Sequence, residues 1–126
     1  MERLRGIIRA CDKIEEYIAG MSYEDFLEDE KTVDACATKS SVVGNFCKEV
    51  SDELKARNPE VNWKGAYDFR CKVDHSYDTP SFDLEIMWNT VSGSIPNLRD
   101  QCARILRELD DTVNRDGTTV PSDDGV

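Results

Sequence analysis

Histidine occurs once in the chain, at His75, and the five cysteines include no Cys-x-x-Cys pair. A structural zinc site needs several closely spaced Cys or His ligands, so neither a metal nor a cofactor is expected. Five is also an odd number, and the cysteines are far apart. They form no disulfide framework, and Cys11, Cys36, Cys47, Cys71 and Cys102 read as reduced residues that pack as small hydrophobes. Long apolar runs are absent as well. The opening MERLRGIIRACDKIEEY breaks each short run with charge, which fits neither a secretory signal nor a membrane span. A soluble, cytoplasmic protein without membrane contact is expected. No segment alternates polar and apolar residues for long enough to suggest a sheet.

Positive charge is scarce: 16 Lys and Arg face 26 Asp and Glu, for a net charge of −10. A surface of that sign repels phosphates and argues against broad nucleic-acid binding. The excess is local, however. Residues 21–60 hold ten acids against five bases, and residues 110–126 hold five against one. Residues 61–80 balance Lys64, Arg70 and Lys72 against Asp68, Asp74 and Asp78, so an RNA contact is electrostatically permitted there.

What is present is helical periodicity. Ile7, Ile8, Cys11, Ile14, Tyr17, Ile18 and Met21 predict a first amphipathic helix over 3–20. Ser22 and Asp25 resemble a capping box for a short second helix whose apolar side is Phe26 and Leu27. Val33, Cys36, Ser40, Val43, Cys47, Val50 and Leu54 step alternately by three and four, predicting one long helix that stops before Asn58-Pro59. A fourth begins at Trp63 and frays near Asp74 to Tyr77, ahead of Pro80. Ser81 is expected to cap a fifth, with Leu84, Met87, Trp88 and Val91 inward. After a break at Gly93-Ser94, Pro96 opens a sixth with Ile95, Leu98, Cys102, Ile105 and Leu109 buried. The expected fold is all-α, an antiparallel bundle of five to six helices over residues 1–110, with a disordered acidic tail at 111–126.

The single histidine lies in FRCKVDHSYD, with Arg70 five positions before it and Tyr77 two after. At about 100° per residue, Arg70 and Tyr77 nearly eclipse each other while His75 lies about 140° round from Arg70. The three converge only if the last turn unwinds, which Asp74-His75-Ser76 ahead of Pro80 favours. Arginine can grip a phosphate with its fork and histidine can move protons near neutral pH. Together they suffice for metal-free cleavage of RNA. The 2′-hydroxyl attacks the adjacent phosphorus, arginine stabilises the phosphorane, and histidine transfers a proton at the attacking or leaving oxygen. The product end is a 2′,3′-cyclic phosphate, and DNA, lacking the nucleophile, is spared. Lys72 and Cys71, between the two residues in sequence, are candidate substrate contacts. Spacing alone equally permits a structural role, with Arg70 and Asp74 as an i,i+4 ion pair and His75 as a charge partner of the helix end.

Between residues 4 and 109 the segments SYEDFLEDEKT and VVGNFCKEVSDELKARNPEVNW, the Arg70-x4-His75-x-Tyr77 motif and DLEIMW occur in an order that resembles the HepT-like family of the HEPN superfamily. Those proteins are small helical ribonuclease toxins paired with minimal nucleotidyltransferase antitoxins. The resemblance implies a homodimer whose two motif helices line one cleft. It also implies RNA as substrate, Arg70 and His75 as catalytic residues, and Tyr77 as the tyrosine that the antitoxin adenylylates. Cys71 stands where the family usually has asparagine, and Asn45, after Gly44, where glutamate is common. The expected function is a metal-independent endoribonuclease of toxin type. The rival readings are a weak or inactive HEPN dimer that binds a nucleotidyltransferase, and a nucleotide-sensing bundle.

Overall fold

Stripes of apolar residues at helical spacing become packed helices in the computed structural model, which describes residues 1–116, with side chains through 112. The first helix, α1 (Glu2–Ile18), buries Leu4, Ile7, Cys11 and Ile14 along one side. It ends ahead of Gly20, whose φ of +78° is left-handed and costs glycine no steric strain. The capping box then forms as expected: Ser22 Oγ accepts from the Asp25 N–H and Asp25 accepts from the Ser22 N–H, each at 3.1 Å. It opens α2 (Tyr23–Glu28), which buries Phe26 against Trp88 at 5.2 Å between ring centroids, while Leu27 stays exposed.

The long seam is buried from Val33 to Leu54, but it belongs to two helices, not one. The first, α3 (Glu30–Glu49), stops at an extended Val50, and α4 (Asp52–Arg57) begins two residues later, after Ser51. The cause is Ser51, whose hydroxyl accepts the Leu54 N–H at 3.2 Å, with Asp52 and Glu53 following it at the positive helix end. Lys55 Nζ bonds the Lys48 carbonyl left open at the break, at 3.0 Å. Next, α5 (Trp63–Ser76) begins where expected, capped by Asn62.

Two further boundaries differ from expectation. Asp83, not Ser81, caps α6 (Leu84–Asn89), because its carboxylate reaches both the Glu85 and Ile86 N–H groups, at 2.9 and 3.3 Å. Gly93-Ser94 does not break the chain. Residues Thr90–Ser94 form a π-helical turn that runs without interruption into α7 (Ile95–Asp116). Widening to an i→i+5 bond, from the Ile95 N–H to the Thr90 carbonyl, admits Pro96, which has no N–H to give. The hydroxyls of Thr90 and Ser92 satisfy the Ile86 and Trp88 carbonyls at 2.8 and 2.6 Å. Counted as continuous runs, the described residues form six helices and no strand, an all-α bundle.

The core lies where α3 packs between α1 and α5, with α7 on the other side of α1. Cys11, Cys36, Cys47 and Cys102 are buried in it as free thiols, and burial pushes Cys36 up to about 11 and Cys47 up to about 12. No helix among the described residues is long and apolar enough to cross a membrane. The last helix passes the expected boundary at 110, and the tail beyond Asp116 lies outside the described residues.

Candidate active site

Side chains of α3 and α5 meet in opposite numerical order, as antiparallel helices require: Asp34 with Tyr77, Ser41 with Asp74, Gly44 with Arg70, and Lys48 with Tyr67. The contact is closest at Gly44. A Cβ there would lie 2.4 Å from Arg70 Cβ and 2.7 Å from the Ala66 carbonyl oxygen, so glycine sets the helix spacing that seats Arg70 against α3.

Arg70 is about a third exposed. Its Nη2 lies 3.4 Å from Asp74 Oδ2, and its guanidinium sits 5.7 Å from the centre of the Tyr67 ring, within reach of a cation–π attraction. The second oxygen of Asp74 accepts a 2.9 Å hydrogen bond from Ser41 Oγ. Asp74 therefore holds the arginine while α3 holds Asp74. Such an exposed i,i+4 pair is worth only about 0.3–0.5 kcal/mol, so an incoming phosphate can displace it.

Tyr77 follows the helix as its cap, still in helical conformation, with its N–H bonded to the Val73 carbonyl at 3.1 Å. Its hydroxyl donates a short hydrogen bond to Asp34 Oδ1, and its ring meets Phe82 edge-on at 5.5 Å. Burial raises the phenol well above its ordinary pKa, and the Asp34 hydrogen bond and the charges of Asp34, Asp78 and Glu30 add to the shift. The hydroxyl keeps its proton at any physiological pH.

His75 is exposed, in the final turn of α5, and the expected unwinding there does not occur. The helix end is satisfied without it. Ser76 Oγ bonds the Lys72 carbonyl, and Thr79 Oγ1 bonds the Ser76 carbonyl, both at 2.7 Å. Pro80 falls in the turn beyond and restricts Thr79, not the last turn. Arg70 and His75 thus remain about 140° apart around one helix. The structure brings Arg70, Asp74 and Tyr77 to the α3 side. On the opposite side, His75 lies about 60° from Lys72 and nearly eclipses Asp68. Lys72 is exposed and Cys71 half-buried.

Asp34, Ser41 and Tyr67 went unnoticed in the sequence because their roles depend on the register between α3 and α5. The available signal is Gly44, a glycine in mid-helix, which costs about 1 kcal/mol relative to alanine and so calls for a packing reason.

The family model described as ribonuclease HepT-like matches residues 7–105, a span that contains Arg70, His75 and Tyr77. The chain belongs to that family. It is 30% identical over 102 residues to "Probable ribonuclease HepT" of Thermococcus cleftensis, covering 81% of this chain and 91% of that protein. It is 29% identical over 105 residues to "Putative RNase TTE0752" of Caldanaerobacter subterraneus, covering 83% and 92%. A third relative, "Putative RNase MJ0127" of Methanocaldococcus jannaschii, is 27% identical over 107 residues, covering 85% and 87%. No solved structure is significantly similar to the chain.

Proposed function

We propose that the protein is an endoribonuclease that cleaves RNA by 2′-hydroxyl transesterification, without a metal, in a cleft shared by two copies of the chain. The observation that carries this reading is the Arg70-x4-His75-x-Tyr77 motif standing solvent-accessible at the end of α5 in a HepT-like chain. Arg70 exchanges its weak pair with Asp74 for a phosphate oxygen and stabilises charge on the phosphorane. His75 moves the proton. Transesterification is helped by a base at the 2′-hydroxyl and an acid at the departing 5′-oxygen, and one chain carries one imidazole. Because α5 stays helical, one chain also keeps Arg70 and His75 apart. A second α5 across the cleft supplies both the missing imidazole and an arginine facing it.

In this reading the protein acts in the cytoplasm as the toxin of a two-gene pair, and a minimal nucleotidyltransferase silences it by adding AMP to Tyr77. Tyr77 nearly eclipses Arg70 two turns along α5, so the new phosphodiester lies on the arginine side of the helix. A second reading, a weak or inactive dimer that only binds the nucleotidyltransferase, is favoured by the −10 charge and by Cys71, where the family usually has asparagine.

The deciding assay is cleavage of single-stranded RNA in EDTA, with DNA as control. His75→Ala should lower the rate about 10²-fold or more. In a tethered dimer, His75→Ala in one half should lose activity on that same scale, whereas two independent sites would retain half. Retention near half overturns the shared cleft, and equal cleavage by parent and His75→Ala points to a contaminating nuclease and leaves the binding reading in place.

A further inference from the structure

Gly65, Asp68, Phe69 and Lys72 of α5 border a cavity of about 390 Å³, walled by α3, α5, the π-turn and α7. Its volume lies within the roughly 300–1,000 Å³ of small-molecule sites. Ser40 lines it from mid-α3, and its Oγ, on a residue only 2% exposed, bonds to no protein atom. A buried hydroxyl without a partner is costly, and a ligand that bonds it recovers that cost. Asn97 and Gln101 line the opposite wall at i and i+4 of α7, on one face, and Phe69 adds an aromatic ring. The wall between them includes the π-helical turn, a distortion that recurs at functional sites.

The lining also says what does not fit. Glu60 and Asp68 are taken up by Arg104 and Lys64, at 2.5 and 2.7 Å, so an anion would find only Lys72 as a cation among the lining residues. A purely apolar ligand would cover the carboxamides of Asn97 and Gln101 without bonding them. A neutral, flat ligand with donors and acceptors along its edge satisfies all of them. We infer that this cavity receives a nucleobase of the bound RNA, from a nucleotide next to the cleaved phosphate, with Asn97, Gln101 and Ser40 reading its edge. The inference rests on the ribonuclease reading. Lys72, in the lining, lies one turn of α5 before His75, so a base held inside leaves its own phosphate toward the residue that moves the proton. Asparagine and glutamine pair with the adenine edge through two bonds, which makes adenine the probe of choice.

The test is a titration of isotope-labelled full-length protein, followed by the side-chain amide signals of Asn97 and Gln101. Adenosine and a short oligoadenylate should shift both signals, and ribose 5-phosphate should shift neither. Replacing both residues with alanine, at surface-accessible positions that leave folding intact, should weaken adenosine binding about tenfold or more. Silence of both amides at millimolar adenosine, an equal response to ribose 5-phosphate, or unchanged affinity in the variant overturns the inference. A response to free adenosine but not to the oligoadenylate also overturns it, because the cavity would then hold a mononucleotide effector and not a substrate base. The readout does not depend on cleavage. Amides that respond to an oligoadenylate the protein never cuts keep the cavity and sink the ribonuclease, whereas cutting with silent amides does the reverse.

Discussion

Gly44→Ala is a small change with a large expected effect. The added methyl would meet Arg70 Cβ at 2.4 Å and the Ala66 carbonyl oxygen at 2.7 Å, where ordinary contact begins at 3.4 Å. Neither obstacle is the loose end of a side chain, so α3 and α5 must part by several tenths of an ångström or more. Overpacking of this kind costs about 1–3 kcal/mol, while alanine returns about 1 kcal/mol through its better helix propensity. With backbone on both sides of the clash the cost lies toward the upper end, for a net loss of about 1–2 kcal/mol. That is a fall in Tm of roughly 4–8 °C for a domain of this size. Ribonuclease activity should fall further than stability, since the displaced atom belongs to Arg70 and an error of about 1 Å can cost about 10²-fold.

Two other glycines are controls for the reasoning. A Cβ at Gly93 meets nothing within 4 Å, so Gly93→Ala should leave Tm unchanged or higher. A Cβ at Gly6 meets only the Phe46 ring, at 2.6 Å, and the half-buried ring can turn away, for an intermediate effect. The measurements are thermal unfolding by circular dichroism and RNA cleavage at a temperature where every variant is folded. A Gly44→Ala protein as stable as its parent, or a Gly93→Ala protein that loses as much, would refute the claim that Gly44 sets the helix spacing.

Tyr77→Phe tests the phenol at high pH. Its folded pKa is raised above the unfolded value of about 10, so its contribution to stability is complete below that pH and is lost as pH rises through and beyond it. The phenylalanine variant should show a flatter alkaline fall in Tm, and an unchanged slope would mean that another group controls it. Thiol titration of the native protein should find one fast-reacting cysteine per chain, Cys71, because the other four are buried, and Cys11, Cys36, Cys47 and Cys102 are all shifted upward by burial. Fast reaction of more than one would contradict the packing. Cys71→Asn should raise cleavage if the thiol weakens phosphate handling, with Tm nearly constant; unchanged kcat/KM would make the position indifferent to substrate.

Burial was legible in the sequence along the two long seams, less so elsewhere: Leu27 is exposed, and Ile8, Tyr17, Ile18, Met21, Leu84 and Trp88 are only half-buried. Val33, Cys36, Ser40, Val43, Cys47, Val50 and Leu54 are all buried, as are Ile95, Leu98, Cys102, Ile105 and Leu109. Where helices begin and end was less legible, since a seam continues across a break that leaves the same side inward. Ser51 interrupts the helix without interrupting the seam, and the π-turn joins two seams that looked separate. In both cases local hydrogen bonding outweighed the pattern: a serine cap made a boundary, and the hydroxyls of Thr90 and Ser92 helped remove one.

The site was legible as a list of residues but not as an arrangement. Arg70, His75 and Tyr77 stand out as types, yet their surroundings come from residues far away in sequence, such as Asp34, 43 positions from Tyr77. The one conformational expectation, unwinding at Asp74-His75-Ser76, relied on Pro80 and missed that Ser76 and Thr79 satisfy the helix end locally. An unwound turn would let one chain gather arginine and histidine on one phosphate, and a monomer would suffice. A helix that stays wound keeps the side chains apart, Arg70 and Tyr77 beside α3, His75 on another side, one turn beyond Lys72, which lines the cavity. In the proposed function, a phosphate that is to meet both kinds of side chain lies between two copies of α5.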